Sequence, residues 1–173
     1  MAIDEKEILT GEEALAKVRE LLKTLPIAFM VTVMDGELTA RPIGVVGGDH
    51  ADFDGSLWFI TDKRSRKVRA IESGAMTTLM FQNDKEGNYL HLTGRAAVVD
   101  DRAKLEELYT TLQRTWFPKG VDDPDITLVR FDATEANSWD SHDSLVRLAV
   151  AFAKSVITRS PGKSGNAGVA KLE

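Results

Sequence analysis

The sequence predicts a mainly β fold: an antiparallel barrel with a few short helices. Three observations carry this. About six runs of apolar and β-branched residues, each of strand length, follow one another along the chain. Turn signals separate them, among them Asp35-Gly36 and the run Asn83-Asp84-Lys85-Glu86-Gly87. Segments with helical spacing are too few and too short for a parallel sheet with crossover helices.

Thr10-Gly11-Glu12-Glu13 reads as a capping box, in which a hydroxyl and a carboxylate satisfy the first free N–H groups of a helix. Leu15, Val18, Leu21, Leu22 and Leu25 follow at helical spacing, and Pro26 ends that helix, giving about Gly11–Thr24. Ile27–Met34 and Glu37–Val46 form two strands joined by Asp35-Gly36, a strong hairpin signal. A loop, Gly47–Gly55, carries three Gly and three Asp. Ser56–Thr61 reads as a short buried strand, and Lys63–Ser73 as a helix stopped by Gly74. Ala75–Gln82 and Asn88–Val99 are strands around a polar turn. Arg102–Thr115 reads as a helix capped by Asp100 or Asp101 and broken at Trp116-Phe117-Pro118-Lys119-Gly120. Ile126–Asp132 and Ala136–Trp139 are strand-like, and Leu145–Ile157 is a last helical segment. Ser160–Ala170 is rich in Gly, Ser and Lys. The chain therefore divides into a domain over 1–157 and a disordered tail over 158–173 that ligand binding does not need.

Composition narrows the function. The chain has 173 residues, which at roughly 150 per domain is one domain. With 22 basic and 27 acidic residues its net charge is −5, which argues against a general nucleic-acid binder while leaving room for a local basic patch. There are no cysteines, so disulfides, thiolate metal sites and thiol chemistry are excluded. An acidic, cysteine-free single domain fits the cytoplasm. The opening MAIDEKEILTGEE has no apolar segment and does not read as a signal peptide. Apolar runs such as Ile27–Val33 and Leu148–Ala153 are too short to span a bilayer, so no membrane partner is expected.

Five of the 22 basic residues lie within Lys63-Arg64-Ser65-Arg66-Lys67-Val68-Arg69, just after a buried strand and opening a helix. A hydroxyl, a guanidinium and an ammonium at a helix start suit a terminal phosphate. The plainer reading is a solvated basic face paired with acids such as Glu72. Arg41 stands in Thr39-Ala40-Arg41-Pro42-Ile43, within an otherwise apolar strand. It is either a second phosphate ligand or an Arg on an exposed edge, which Pro42 favours. Alternation places Trp58 and Ile60 on one face of their strand, with Phe59 and Thr61 on the other. These residues form a wall for a flat heteroaromatic ligand or simply barrel core. Trp139 is a stacking aromatic or a partly buried anchor. His50, His91 and His142 have no metal-ligand spacing, and Asp122, Asp123 and Asp125 around Pro124 fit turn chemistry rather than a calcium loop. No metal site is expected.

Taken in order, these pieces resemble the flavin-binding split-barrel superfamily of pyridoxamine 5′-phosphate oxidase, in its general stress protein 26-like branch. The resemblance covers about Glu12 to Ile157. It rests on Thr39-Ala40-Arg41-Pro42, on Leu57-Trp58-Phe59-Ile60-Thr61 leading into Lys63–Lys67, and on Tyr89-Leu90-His91-Leu92-Thr93-Gly94-Arg95-Ala96. Trp116-Phe117-Pro118-Lys119-Gly120 with Asp123-Pro124, and Ala136-Asn137-Ser138-Trp139-Asp140, are its most branch-specific parts.

The resemblance implies a six-stranded antiparallel Greek-key split barrel that forms a homodimer. It implies flavin mononucleotide (FMN) at the interface, with FAD or a deazaflavin as alternatives. By the same resemblance Arg41, Ser65, Arg66 and Lys67 hold the phosphate. Pro42, Ile43 and the strand Trp58, Phe59, Ile60 and Thr61 run along the ring and ribityl chain, and Trp139 approaches the flavin of the partner subunit. Three departures bear on activity. No base occurs from Ile43 through Gly48, where the oxidases place a substrate Lys. Asp140-Ser141-His142-Asp143-Ser144 lacks the Arg residues of their substrate clamp, and Tyr89 replaces a flavin-contacting Gln. Pyridoxamine-phosphate oxidation is therefore not expected. A flavin-dependent oxidoreductase acting on an unknown small substrate and a non-enzymatic flavin binder both remain open. So does another ligand in the same pocket; for a haem only His91 or His142 would serve as axial ligand.

Overall fold

The computed structural model describes residues 7–48, 50, 53–140 and 166–171. Its centre is six antiparallel strands curled into a half-barrel: β2 (Ile27–Met34), β3 (Glu37–Gly44), β4 (Ser56–Asp62), β5 (Met76–Asn83), β6 (Asn88–Val99) and β7 (Ile126–Asp140). The order across the sheet is β3-β2-β5-β6-β7, and β4 adds to the far edge of β7. A bridge between Val46 and Trp58, whose backbone bond measures 2.9 Å, links the end of β3 back to β4 and curls the sheet on itself. The mainly β, antiparallel split-barrel expectation holds.

The hairpin forms where the sequence places it. Asp35 and Gly36 both have positive φ, at 55° and 78°, as a turn between two right-twisted strands requires. Among the described residues three short α-helices accompany the sheet: α1 (Gly11–Leu22), α2 (Arg66–Glu72) and α3 (Arg102–Leu108). Val18, Leu21 and Leu22 of α1 pack on Met30, Phe59, Leu79 and Phe131 inside the barrel. Each such buried side chain contributes about 1.5–3 kcal/mol. A smaller apolar cluster of Val46, Leu105, Leu108 and Leu128 fixes α3 against the outside of β4, with Trp58 and Ile60 packed on it.

Several boundaries differ from the sequence reading. The helix expected over Arg102–Thr115 stops at Leu108, because Gln113 folds back so that its Oε1 accepts from the Thr110 backbone N–H at 2.8 Å and from its hydroxyl at 2.6 Å. A 3-10 turn, Gln113–Thr115, follows. The two strand-like runs Ile126–Asp132 and Ala136–Trp139 are one fifteen-residue strand. Its register slips at Thr93/Gly94, where Gly94 pairs with Ala133 and Thr93 with Glu135, leaving Thr134 as the extra residue of a bulge. Gly94 is required there: a Cβ would lie 2.1 Å from the Asp132 carbonyl oxygen.

The bulge is also where β7 changes neighbours. Its first half pairs with β4 and its second half with β8 (Asn166–Lys171), which in turn pairs in parallel with β1 (Glu7–Thr10). Asn166–Lys171 was expected within a disordered tail, so for those residues the expectation is corrected. Their strand arises from pairing with a distant edge rather than from local composition. The helix expected over Leu145–Ile157 lies outside the described residues. No helix among the described residues is long and apolar enough to cross a membrane.

Candidate functional site

The site begins on β3. Glu37, Thr39 and Arg41 alternate onto one face of that strand, with Thr32 of β2 opposite Thr39 and Met30 opposite Arg41. The Arg41 guanidinium donates to the Thr32 hydroxyl at 2.8 Å and to the Met30 carbonyl at 3.2 Å. It meets no carboxylate among the described residues. Burial and the nearby Arg66 guanidinium both lower its pKa.

Arg66 and Lys67 open α2, with Ser65 at the N-cap. Burial lowers the Lys67 pKa first, and the Arg41 charge lowers it further, against a smaller opposing effect of Asp62. Arg41 therefore stands near enough to both Arg66 and Lys67 for their charges to disfavour its own. Arg66 has one acid, Glu37, 3.5 Å away with both groups well exposed, and such a pair is worth at most about 1 kcal/mol. Lys67 has no ion-pair partner among the described residues. The Ser65 hydroxyl is buried and meets no hydrogen-bond partner, although the N-cap position usually supplies one. Three cations, an unpartnered hydroxyl and only weakly opposing acids, Glu37 at Arg66 and Asp62 at Lys67, make a cradle of a kind that can take an oxyanion. Because α2 spans only seven residues, side chains rather than a helix dipole make this site.

The neighbouring basic residue is used differently. Arg64 reaches Asp125 at 2.8 Å and Asp62 at 3.5 Å, and its backbone N–H donates to Asp62 at 2.7 Å. That backbone bond is the main cause of the lowered Asp62 pKa. Arg64 thus fastens the β4–α2 corner, leaving Arg66 and Lys67 to the cradle.

Along β4 burial alternates as the sequence implies. Phe59 is fully buried in the barrel core and Thr61 is buried beside it, so Phe59 offers a ligand only its backbone. Trp58 and Ile60 point the other way, onto the α3 cluster. Lys104 and Arg130 each lie over the Trp58 ring, at 5.8 and 5.7 Å from its centroid, and packing accounts for it. Ile43 is core and Pro42 is exposed opposite Phe29. Trp139, also exposed, stands at the end of β7 opposite Tyr89.

Trp139 and Tyr89 border an open apolar hollow of about 410 Å³ on the outer sheet face, shared with Phe29, Val31, Met80 and His91. Ile27, Phe29, Val33, Met76 and Met80 extend that face as exposed apolar surface. Sequence reasoning missed Glu37 and Thr32. The signal for Glu37 was present in the alternation of Glu37, Thr39 and Arg41 after the Asp35-Gly36 turn, and that for Thr32 in the hairpin register, which sets Thr32 opposite Thr39 on the same face. Among the described residues no cluster of His, Asp and Glu is arranged to hold a metal ion. His142 lies outside the described residues.

A family model described as pyridoxamine 5′-phosphate oxidase like matches residues 13–162, most of the chain. The chain belongs to the pyridoxamine 5′-phosphate oxidase-like family. Among solved structures of similar fold is a putative general stress protein 26 from Jannaschia sp. CCS1. It is 21% identical with a TM-score of 0.70, and the match covers 93% of this chain and 99% of that one. Another is described as a general stress FMN/FAD binding protein from Xanthomonas citri, 25% identical with a TM-score of 0.62, covering 75% of this chain and 90% of that one. The protein bli-3 of Neurospora crassa is 25% identical over 143 residues, 76% of this chain and 68% of that protein.

Proposed function

We propose that this member of the family binds a flavin through its terminal phosphate, with FMN as the form the site fits best. The observation that carries the reading is the cradle: Arg41, Arg66 and Lys67 with the partnerless Ser65 hydroxyl, opposed by the exposed Glu37 at Arg66 and by a smaller effect of Asp62 at Lys67. A phosphate monoester fits it. Its oxygens accept from the Ser65 hydroxyl and from two or three cationic groups, and its two negative charges offset their mutual repulsion. The description of the Xanthomonas citri protein as FMN/FAD binding supports the same ligand.

Each residue then has a stated part. Arg41, held by Thr32, presents a fixed guanidinium. Lys67 supplies a point charge whose cost of burial falls once the anion arrives. The backbone of Ile60 and Thr61 borders the path toward the ring. Bound flavin supplies one- and two-electron transfer to a small substrate, and the protein orients it and excludes water. The exposed apolar face of β2 and β5, with Trp139 at its edge, supports a homodimer with the ligand near the interface. A cytoplasmic location agrees with the cysteine-free sequence.

The missing substrate clamp favours a second reading, a flavin-binding protein without turnover. The visible spectrum of purified protein tests the first claim, with identification of whatever heating releases. A yellow protein that releases FMN supports it; a colourless protein that takes up no added FMN overturns it. Oxidation of a nicotinamide by the loaded protein, with transfer to an acceptor, separates enzyme from binder.

A further inference from the structure

One imidazole lines the outer hollow with almost nothing to hold it there. His91 stands on β6 between Tyr89 and Thr93, and alternation puts all three on the outer face. Across the sheet it lies opposite Met80 of β5 and Asn137 of β7, with Trp139 on the diagonal. β2 and β3 add Phe29 and Ala40 to the same hollow. Apolar neighbours leave both ring nitrogens of an imidazole in need of partners. Nε2 lies 3.5 Å from the Thr93 hydroxyl, the outer limit of a hydrogen bond, and Nδ1 has no partner among the described residues.

The polar groups around His91 are committed to one another. The Asn137 amide donates to Glu135 at 2.8 Å, so neither is tied to the imidazole. Asp84, in the turn before β6, accepts from the Tyr89 hydroxyl at 3.3 Å and from the Gln82 amide at 3.4 Å. Arg95, exposed, lies two places beyond Thr93 on the same face, and Lys171 of β8 takes the register position opposite Glu135. β2, β3 and β5 bring no charged side chain to this face among the described residues. His91 therefore meets the hollow with no carboxylate of its own.

We propose that His91 acts in trans on the flavin: it faces the ring that the partner subunit holds in its own cradle, donates to the polar edge of that ring and raises its reduction potential. The proposal rests on the flavin reading above, in which Trp139 approaches the ring bound by the partner. His91 lies diagonal to Trp139 and one place in from Tyr89, so a ring bordered by those two comes within reach of the imidazole. A donor or a positive charge beside the ring nitrogens favours the reduced form, which carries more negative charge there. An imidazole gains its charge toward acid pH, so the effect is greatest at that end. The site is then complete only in the dimer. One protomer holds the phosphate with Arg41, Ser65, Arg66 and Lys67, and the other sets the electron affinity with His91.

The test reads the midpoint potential of full-length protein loaded with FMN, by equilibrium reduction against reference dyes at about pH 6 and about pH 8. His91→Leu is expected to favour the reduced flavin about tenfold less, a fall of about 30 mV for a two-electron couple. The fall is larger at the lower pH. His91→Gln, which keeps a donor without the charge, should lose only the part that depends on pH. A heterodimer isolated with two affinity tags then assigns the chain. One protomer carries His91→Leu with an intact cradle, and the other carries Arg41→Ala and Lys67→Ala with His91 intact. FMN is held by the first cradle alone, and the wild-type potential is expected for it. The potential of the His91→Leu homodimer in that heterodimer overturns the action in trans, as does a wild-type protein that carries FMN as a monomer. Unchanged potentials in both single variants, with FMN bound, overturn the proposal and leave the flavin reading standing. A wild-type protein that takes up no FMN overturns both.

Discussion

Ser65 and Lys67 give the cradle opposite signs with and without its anion. A buried hydroxyl lacking a partner costs about 1–3 kcal/mol. Ser65→Ala is therefore expected to stabilise the ligand-free protein by about 1 kcal/mol in denaturant unfolding, and to weaken FMN binding in a fluorescence titration. A variant that loses stability and keeps affinity would mean the hydroxyl serves the fold. Lys67 adds a pH dependence. Its pKa is lowered in the folded protein, chiefly by burial and next by Arg41. Phosphate binding needs the protonated amine, so affinity is lost as pH rises through that folded value, below the ordinary lysine pKa of about 10.4. In the ligand-free protein the sign reverses: the unfolded state holds the proton more tightly, so stability rises across the same window. Lys67→Arg should carry FMN affinity to higher pH. Glu37, 3.5 Å from Arg66, competes with the anion. Glu37→Gln is expected to tighten FMN by about two- to fivefold at low salt, within the worth of an exposed pair, and the gain should fade as salt is added.

At the scale of elements, the bulge between β6 and β7 holds the architecture. It lets one long strand serve β4 with its first half and β8 with its second. Gly94→Ala forces a methyl group against the Asp132 carbonyl oxygen and the Phe131 ring, and backbone cannot yield as a flexible side chain does. A loss of about 3 kcal/mol is expected by chemical denaturation, at the upper end for overpacking. Unchanged stability would mean the strands part there at no cost. The same bulge explains why β7 reads as two strands. Thr134 is an extra residue, so the alternation changes phase just where Asp132, Thr134 and Glu135 already look like a polar break. The helix after Asp101 was legible at its cap, where the carboxylate accepts from the Lys104 N–H at 2.9 Å. Its early end was not, because Gln113 folding back onto Thr110 is a tertiary choice that spacing does not reveal.

For the whole molecule, the parts legible in the sequence are those set by neighbours along the chain. The Asp35-Gly36 hairpin, the alternation along β4 and the basic run at Ser65–Lys67 are all local patterns. The parts that were not legible depend on distant pairing. Strand β8 has no strand composition and exists by adding to β7. Which face of β4 meets the barrel interior is decided by α3 and the Val46–Trp58 bridge, so Trp58 turns outward against Lys104 and Arg130. The cradle likewise needs α2 to pack on β2 and β6 before Lys67 comes near Arg41 of β3. That convergence is the central claim, and ligands differing by one phosphate address it directly. Titration calorimetry of the ligand-free protein with FMN and with riboflavin, which shares the ring and ribityl chain, isolates the contribution of the cradle. The account predicts that FMN binds at least about a hundredfold tighter, as two or more charge-assisted bonds require. The Arg41→Ala and Lys67→Ala double variant should lose most of that difference. Equal affinity for both ligands in the wild-type protein would contradict the assignment.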